Sequence, residues 1–355
     1  MSSFDPFVSA TKVAEAFPES IRDKTILITG VSPNSLGLAT AAALASQHPD
    51  RLILSGRSAE KVQSAVDSLK AAYPLVKYDV LLMDLSSQAS VRAAAAQINA
   101  DANIPTIDIL INNAGVMAIP TLTSSEDHIE TTFATNHIGH FLFTNLIMPK
   151  IIRASEGPGT QTRIINISSY GHQFSPIRFS DINFSKLASE LPEQERPEIQ
   201  KAQYLTGKDL SNDTYSGFFA YGQSKTANIL FSVSLNQKLG EKYGIVSYAV
   251  HPGAVGTNIN RHADPQEIEY ALARVKELGF DSSSKTPDQG ANSSVLAAVD
   301  PSLPPVDTNV IDVTGVYISD CKLDNETCAT FARNGILAER LWALSEELVN
   351  QRFEF

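Results

Sequence analysis

Lys24-Thr25-Ile26-Leu27-Ile28-Thr29 runs straight into Gly30-Val31-Ser32-Pro33-Asn34-Ser35-Leu36-Gly37, and that loop runs into the alanine-rich Leu38–Gln47. A short apolar, β-branched run reads as a buried parallel strand. The alanine-rich run reads as a helix. A glycine turn between the two lets backbone N–H groups approach a pyrophosphate, which then sits in the positive field of the helix N-terminus. Gly30 opens the turn, and Gly37 permits close helix–strand packing. Ser35 stands where a second glycine is usual, and Asn34 beside it tolerates left-handed φ better than most residues.

The same unit repeats downstream. Arg51–Ser55 reads as a strand and Ala59–Ala72 as a helix; Val80–Met83 as a strand and Ser87–Ala100 as a helix. Ile107–Ile111 is the fourth strand. Thr123-Ser124-Ser125-Glu126 has capping-box spacing and predicts a long helix through Ile152. Arg163–Ile167, Gly217–Leu239 and Ile245–Val250 continue as strand, helix and strand. Thr286–Val299 reads as a helix with Pro287 in its first turn. Gly315–Ile318 is a last strand and Ala338–Arg352 a terminal helix. Alternation of apolar strands with helices predicts an α/β fold, a Rossmann-type doubly wound parallel sheet covered on both faces. The expected organisation is an N-terminal arm over residues 1–22, carrying a short helix at Ala10–Phe17, and one domain over 23–355. Tyr170–Ser216 is an insertion, since a strand and its helix are normally joined by about 2–6 residues. Arg261–Lys285 and Pro301–Thr314 are irregular too; Tyr170–Ser216 and Arg261–Lys285 are expected to roof the substrate pocket, with capping segments spread over 261–314.

The chain has 355 residues, 43% hydrophobic and 19% charged, with a net charge of −11. That charge argues against nucleic acid and against an anionic membrane surface. No apolar run reaches the ~18 residues of a membrane span. Met1–Glu19 lacks the pattern of a secretory signal, and a cytoplasmic location is expected. Cys321 and Cys328, the two cysteines, read as ordinary thiols in a reducing compartment. His137 and His140 have helical spacing for two metal ligands, but with no third ligand in view they read as helix histidines, and no metal is expected.

Ligands bind such sheets beyond the carboxyl ends of the strands, and each chemical motif falls at one of those ends. Ser55-Gly56-Arg57 closes the second strand. An acid there would bond the ribose 2′-hydroxyl of NAD, whereas Arg57 suits the 2′-phosphate of NADP. Asp84-Leu85 closes the third strand, where a carboxylate accepts from an adenine amine. Asn112-Asn113-Ala114-Gly115 closes the fourth. Its small residues leave room for a ribose, and its Asn side chains can bond neighbouring strands. Tyr221 and Lys225, four apart on a helix, lie on one face. An ammonium beside a phenol favours the phenolate and draws its pKa down from about 10, giving a proton donor and acceptor usable near neutral pH.

Together these residues resemble the short-chain dehydrogenase/reductase family. The motifs are Thr29-Gly30 with Gly37, Asn112–Gly115, Asn136, Ser169, Tyr221 with Lys225, and Pro252-Gly253 with Thr257. Asn112–Met117, Asn136–Phe141, Ser224–Phe231, His251–Gly253 and Leu341–Ser345 are similar to the branch of retinol dehydrogenases and WW-domain oxidoreductase. The resemblance covers about residues 22–350. It departs in the first turn, which is one residue longer than usual.

The resemblance implies NADP(H) held by Gly30, Ser32, Asn34, Ser35, Leu36 and Gly37 of the first turn. It adds Arg57, Asp84, Leu85, Asn113, Ala114 and Gly115, then Tyr221, Lys225, Pro252, Gly253, Val255 and Thr257. It implies that Tyr221 exchanges a proton with the substrate oxygen and that Ser169 holds that oxygen, while Ser168 is structural. Lys225 lowers the pKa of Tyr221 and bonds the nicotinamide ribose, Asn136 holds a water leading to Lys225, and Thr257 bonds the carboxamide. The expected function is carbonyl–alcohol interconversion on a small apolar molecule by a monomer or homodimer. Phe174, Phe179, Phe184 and Phe218-Phe219 either line that pocket or anchor the insertion. Two alternatives stay open: reduction of an imine or activated double bond, and a regulatory protein that binds NADP(H) without turnover.

Overall fold

The computed structural model describes residues 4–157, 161–257, 259, 265–277 and 284–355. Eight strands form one sheet in the order β3-β2-β1-β4-β5-β6-β7-β8. They are β1 Thr25–Thr29, β2 Arg51–Gly56, β3 Lys77–Leu82, β4 Ile109–Asn112, β5 Arg163–Ile167, β6 Val246–His251, β7 Tyr317–Ser319 and β8 Lys322–Leu323. Neighbours from β3 to β7 run parallel, and β8 turns back antiparallel on β7. The strand order reverses between β1 and β4, which places the ligand crevice there.

Strand alternation sends side chains to both faces. From β1, Leu27 joins one apolar core, while Ile26 and Ile28 join the other. The first core packs under α4 (Gln88–Ala100), α6 (Gly139–Ser155), α8 (Gly217–Tyr243) and α12 (Gly335–Leu348); the second lies under α1 (Ala10–Ala16), α2 (Leu36–Ala45), α3 (Ala59–Ala72) and α11 (Asn292–Val299). The arm therefore belongs to the body of the fold: Ala10, Val13 and Ala14 are fully buried, and Asn292 donates to the carbonyls of Pro6 and Val8.

Four sequence expectations need correction. The helix after β4 starts at α5 (Thr131–Phe133), not at Thr123. Residues 123–130 fold back as a turn bridged at Ser124 and Glu130, and the buried Glu130 carboxylate takes the N–H groups of Thr132 and Phe133 at 2.9 and 2.7 Å. A carboxylate that binds two first-turn N–H groups competes successfully with the upstream Thr/Ser signal. Second, within Arg261–Lys285, residues Pro265–Glu277 form a helix, α9, rather than an irregular stretch; 261–264 and 278–283 lie outside the described residues. Third, 286–299 divides at Ala291 into α10 (Pro287–Gly290) and α11. Every residue of α11 is buried on the arm side of the sheet. Fourth, β3 starts three residues before the predicted strand, and β8 was not predicted.

The insertion is tied down by charge as well as by apolar contacts. Arg178 and Asp181 form an ion pair whose side chains are each 2% exposed, and Glu195 takes Ser180 and, from α12, Arg340. Phe184 and Phe219 anchor a small separate core with Ala202 of α7 (Ile199–Thr206). Tyr204 of α7 donates to Glu277 of α9 at 2.7 Å, which joins the insertion to the second expected capping segment.

Candidate active site

Helix α8 carries Tyr221 and Lys225 one turn apart, and the end of β5 delivers Ser168 and Ser169 beside them. The two serines divide the work. The Ser168 hydroxyl donates to the Lys225 carbonyl at 2.8 Å, pinning β5 to the helix. The Ser169 hydroxyl lies within hydrogen-bond reach of the Tyr221 hydroxyl and accepts from the Gly171 N–H at 3.2 Å. Lys225 is 2% exposed, and its Nζ donates to the Ile167 carbonyl at 2.8 Å.

The expected lowering of the phenol's pKa is not what the protein alone produces. Burial pushes Tyr221 up to about 12, with the Ser169 bond pulling the other way, and burial draws Lys225 down to about 7. Desolvation disfavours the charged form of each partner. The ammonium, 5.5 Å from the Tyr221 ring centre, is directed at a backbone carbonyl.

Asn136 sits in the widened turn Ala134–Ile138, where the Gly139 N–H reaches back five residues to Ala134. Such π-segments often mark functional sites. Its side chain accepts from the Val116 N–H at 2.8 Å and donates to the Val116 carbonyl at 2.9 Å and to Ser224 at 2.9 Å. The loop after β4 is thereby clamped against α8. A Cβ placed on Gly115 would lie 3.3 Å from Asn136 Oδ1 and 3.6 Å from Lys225 Nζ, so Gly115, Asn136 and Lys225 share one surface.

A relay of neutral groups reaches from there to β1. The Thr29 hydroxyl accepts from the N–H groups of Asn113 and Ala114, so its own proton goes to His140 Nε2 at 2.9 Å. His140 Nδ1–H then donates to the Asn136 carbonyl at 3.1 Å. Burial lowers the His140 pKa to about 4, which keeps it neutral. His137 bonds Ser345 instead, and no His/Cys/Asp/Glu group suited to a metal occurs among the described residues. Asn112 bonds Thr144 and Asn166, joining β4 to α6 and β5.

The first turn is built largely from backbone. Gly30 has φ 75° and Asn34 φ 58°. A Cβ on Gly30 would meet Ala114 Cα at 2.6 Å, so only glycine lets β1 and β4 close here. The Ser35 hydroxyl caps α2, accepting from Leu38 at 3.1 Å and from Ser32 at 3.1 Å. The Leu36 and Gly37 N–H groups have no protein acceptor among the described residues. Two open donors at the start of a ten-residue helix fit a dinucleotide's pyrophosphate. Arg57 stands exposed after β2. Asp84 has one oxygen committed to Ser86, and Leu85 is buried under Gly139. Beyond β6, Pro252, Gly253, Val255 and Thr257 form a half-exposed loop, with Gly253 at φ 84°; a Cβ on Gly290 would meet both Val255 and Leu36 of α2, so the loop reaches the first turn.

His172 was not foreseen as a site residue. It is fully buried. Its Nε2 accepts the Ala329 N–H at 3.1 Å, so Nδ1 carries the proton and donates to the Ser169 carbonyl at 2.7 Å. The C-terminal region thus orients the serine across 157 residues of chain, a relation without a local sequence signal. Tyr170, Phe174 and Phe218 stack in succession beside it, at 5.7 and 5.2 Å.

Known proteins resemble this chain in sequence and fold. The short chain dehydrogenase profile matches residues 24–190. Short-chain dehydrogenase TIC 32 A, chloroplastic, of Brassica napus is 36% identical over 96% of this chain and 93% of its own. Retinol dehydrogenase 12 of Mus musculus is 33% identical over 94% of this chain and 89% of its own. A solved protein from Mycobacterium paratuberculosis matches with TM-score 0.63 and 26% identity, covering 96% of this chain and 98% of that one. With the sheet order, the open α2 N-terminus and the Ser169–Tyr221–Lys225–Asn136 constellation in place, the chain belongs to the short-chain dehydrogenase/reductase family of oxidoreductases.

Proposed function

We propose that this protein is an NADP(H)-dependent oxidoreductase that interconverts a ketone or aldehyde and an alcohol on a small apolar molecule. The observation that carries the reading is that Ser169 and Tyr221 both flank Gly171, where a Cβ would lie 3.6 Å from Ser169 Oγ and 3.3 Å from Tyr221 Cδ1, with buried Lys225 Nζ 5.5 Å from the Tyr221 ring centre. When bound, the nicotinamide supplies or removes hydride. Negative charge then develops on the substrate oxygen in the reductive direction, and two hydroxyl donors aimed at one point stabilise it. Tyr221, held protonated at neutral pH by burial, gives up its proton to that oxygen. Lys225 offsets the phenolate left behind and bonds the ribose. Asn136 keeps the loop carrying Gly115 closed against both. His172 holds Ser169 in register.

Arg57, with no acid in Ser55-Gly56, supports NADP(H) over NAD(H). The Tyr170–Phe174–Phe218 stack supports an apolar substrate. The test is to follow NADPH absorbance across a panel of apolar ketones, aldehydes, imines and activated alkenes, with cofactor binding measured in parallel. Carbonyl turnover with NADPH is expected. Reduction confined to imines or alkenes would replace the substrate assignment. Tight NADPH binding with no reduction of any class would make the protein a cofactor-binding regulator.

A further inference from the structure

Lys285 is 5% exposed, an unusual state for lysine. It precedes the Thr286 cap of α10 and belongs to no helix. Its N–H donates to the Ala254 carbonyl at 2.8 Å, and it forms an isolated parallel bridge with Val255. Its side chain lies along Gly253: a Cβ there would sit 3.0 Å from its Cδ and Cε and 3.1 Å from its Nζ. Nζ donates to Asp320 Oδ1 at 2.6 Å, and the Phe7 ring centre lies 5.6 Å from Nζ.

Asp320 comes from the two-residue turn that joins β7 to β8. Asp320 and Cys321 there have φ of 48° and 58°. Such a turn normally uses Asn-Gly or Asp-Gly, since both positions need positive φ. A cysteine at the second position is strained. The turn is held by Ser293, whose hydroxyl accepts the Cys321 N–H at 2.9 Å, and by Lys285. Closing a hairpin does not require a buried ammonium. What this arrangement adds is a strut, running from a rigid turn backed by α11 to a glycine with no side chain to anchor itself.

We propose that Lys285, held by Asp320, is the positioning residue of the Pro252–Thr257 loop, and that it sets affinity for the nicotinamide half of the dinucleotide. This rests on the reading above that the loop meets the cofactor. The loop follows β6, whose Val250 carbonyl takes the Ser168 N–H at 2.8 Å, whereas Arg57 follows β2, on the far side of β1, β4 and β5. The strut therefore acts on one half of the ligand.

The test compares two probes, NADPH and adenosine 2′,5′-bisphosphate, on the parent protein, Lys285→Met and Lys285→Arg, with thermal melts alongside. Asp320 has a 38% exposed side chain and can turn to water when its partner is lost, so Lys285→Met should fold. The expected result is an NADPH Kd raised about ten-fold in Lys285→Met, with the bisphosphate Kd within about two-fold of the parent and Lys285→Arg recovering most of the loss. If Lys285→Met does not fold, Asp320→Gly carries the same comparison, since it removes the acceptor and suits the φ of 48° at that position. Equal weakening of both probes would mean a general structural role and overturn the proposal, as would no weakening of either. A parent protein that binds neither NADPH nor NADH would remove the cofactor reading itself, an outcome separate from the other two.

Discussion

The two ends of the crevice are built by opposite means. At the adenosine end, the turn between β1 and α2 holds its shape through glycine backbone, a capping serine and open N–H groups, and its charged residue, Arg57, stands in solvent. At the catalytic end, Lys225, Asn136, His140 and His172 are buried side chains, each bonded to fixed partners. A backbone cradle costs little to maintain in water. A desolvated lysine and phenol are costly, because each disfavours its charged form. The difference teaches where stability has been given up for chemistry: changes at the catalytic end should collapse rate while sparing or raising stability, and changes at the first-turn end should alter cofactor choice or stability while sparing rate.

The largest effect is expected from Tyr221→Phe. It removes one hydroxyl from a ring packed against Gly171, so fold and cofactor affinity should survive. Turnover on any carbonyl substrate should fall about 10²–10⁴-fold, the usual share of a positioned proton donor. Parent-like turnover in this variant would remove Tyr221 from the chemistry and dissolve the contrast between the two ends.

Lys225→Met should lose rate and weaken NADPH, yet fold more stably. The Lys225 pKa lies near 7 in the folded protein, below its unfolded value of about 10.4. The unfolded chain therefore binds the extra proton between those values. The penalty is complete below pH 7 and fades as pH rises towards 10. An apolar side chain in place of Lys225 removes the cost of desolvating the ammonium. Denaturant melts without cofactor at pH 6 and pH 10 should show a clear gain for the variant at pH 6 and almost none at pH 10. A variant less stable than the parent at pH 6 would mean that the Nζ bond to the Ile167 carbonyl outweighs desolvation.

Arg57→Ala should act on cofactor choice alone. The parent is expected to bind NADPH at least about ten-fold tighter than NADH, or about 1.4 kcal/mol. The variant should bind both alike, with kcat at saturating cofactor nearly unchanged. Fluorescence titration of both cofactors decides it: equal affinities in the parent, or an unaltered preference in the variant, would leave Arg57 a surface charge.

How much of this was legible in the sequence follows from the range of each contact. Apolar runs gave strands β1, β2, β4, β5 and β6 to within two residues, because burial on both faces of a parallel sheet leaves a continuous local signal. The i,i+4 spacing of Tyr221 and Lys225, and the glycines of the first turn, are also local. Glu130 as the true cap was missed because a nearer Thr/Ser pattern matched the same signature. His172 and Lys285 were missed because their partners, Ala329 and Asp320, lie 157 and 35 residues away. The sign of the Tyr221 shift was misjudged because burial is a property of the packed fold and cannot be read from spacing.

The smallest expected effect sharpens the comparison most. Ser35 stands where a dinucleotide-binding turn usually has glycine, so its hydroxyl is either a phosphate ligand or a substitute for backbone freedom. The structure commits that oxygen to the N–H groups of Ser32 and Leu38, while Asn34 next to it takes the left-handed conformation. On this geometry the hydroxyl holds the turn, and the open donors toward an anion are the N–H groups of Leu36 and Gly37. Ser35→Ala should then cost about 1 kcal/mol of stability, the usual loss of a helix cap, and Ser35→Gly only a few tenths. NADPH affinity should stay within about two-fold of the parent in both, since 1.4 kcal/mol would be needed for ten-fold. A stability loss with affinity intact keeps the adenosine end a backbone device. A ten-fold loss of affinity with unchanged melting would make Ser35 a side-chain ligand, and that end of the crevice would work as the catalytic end does.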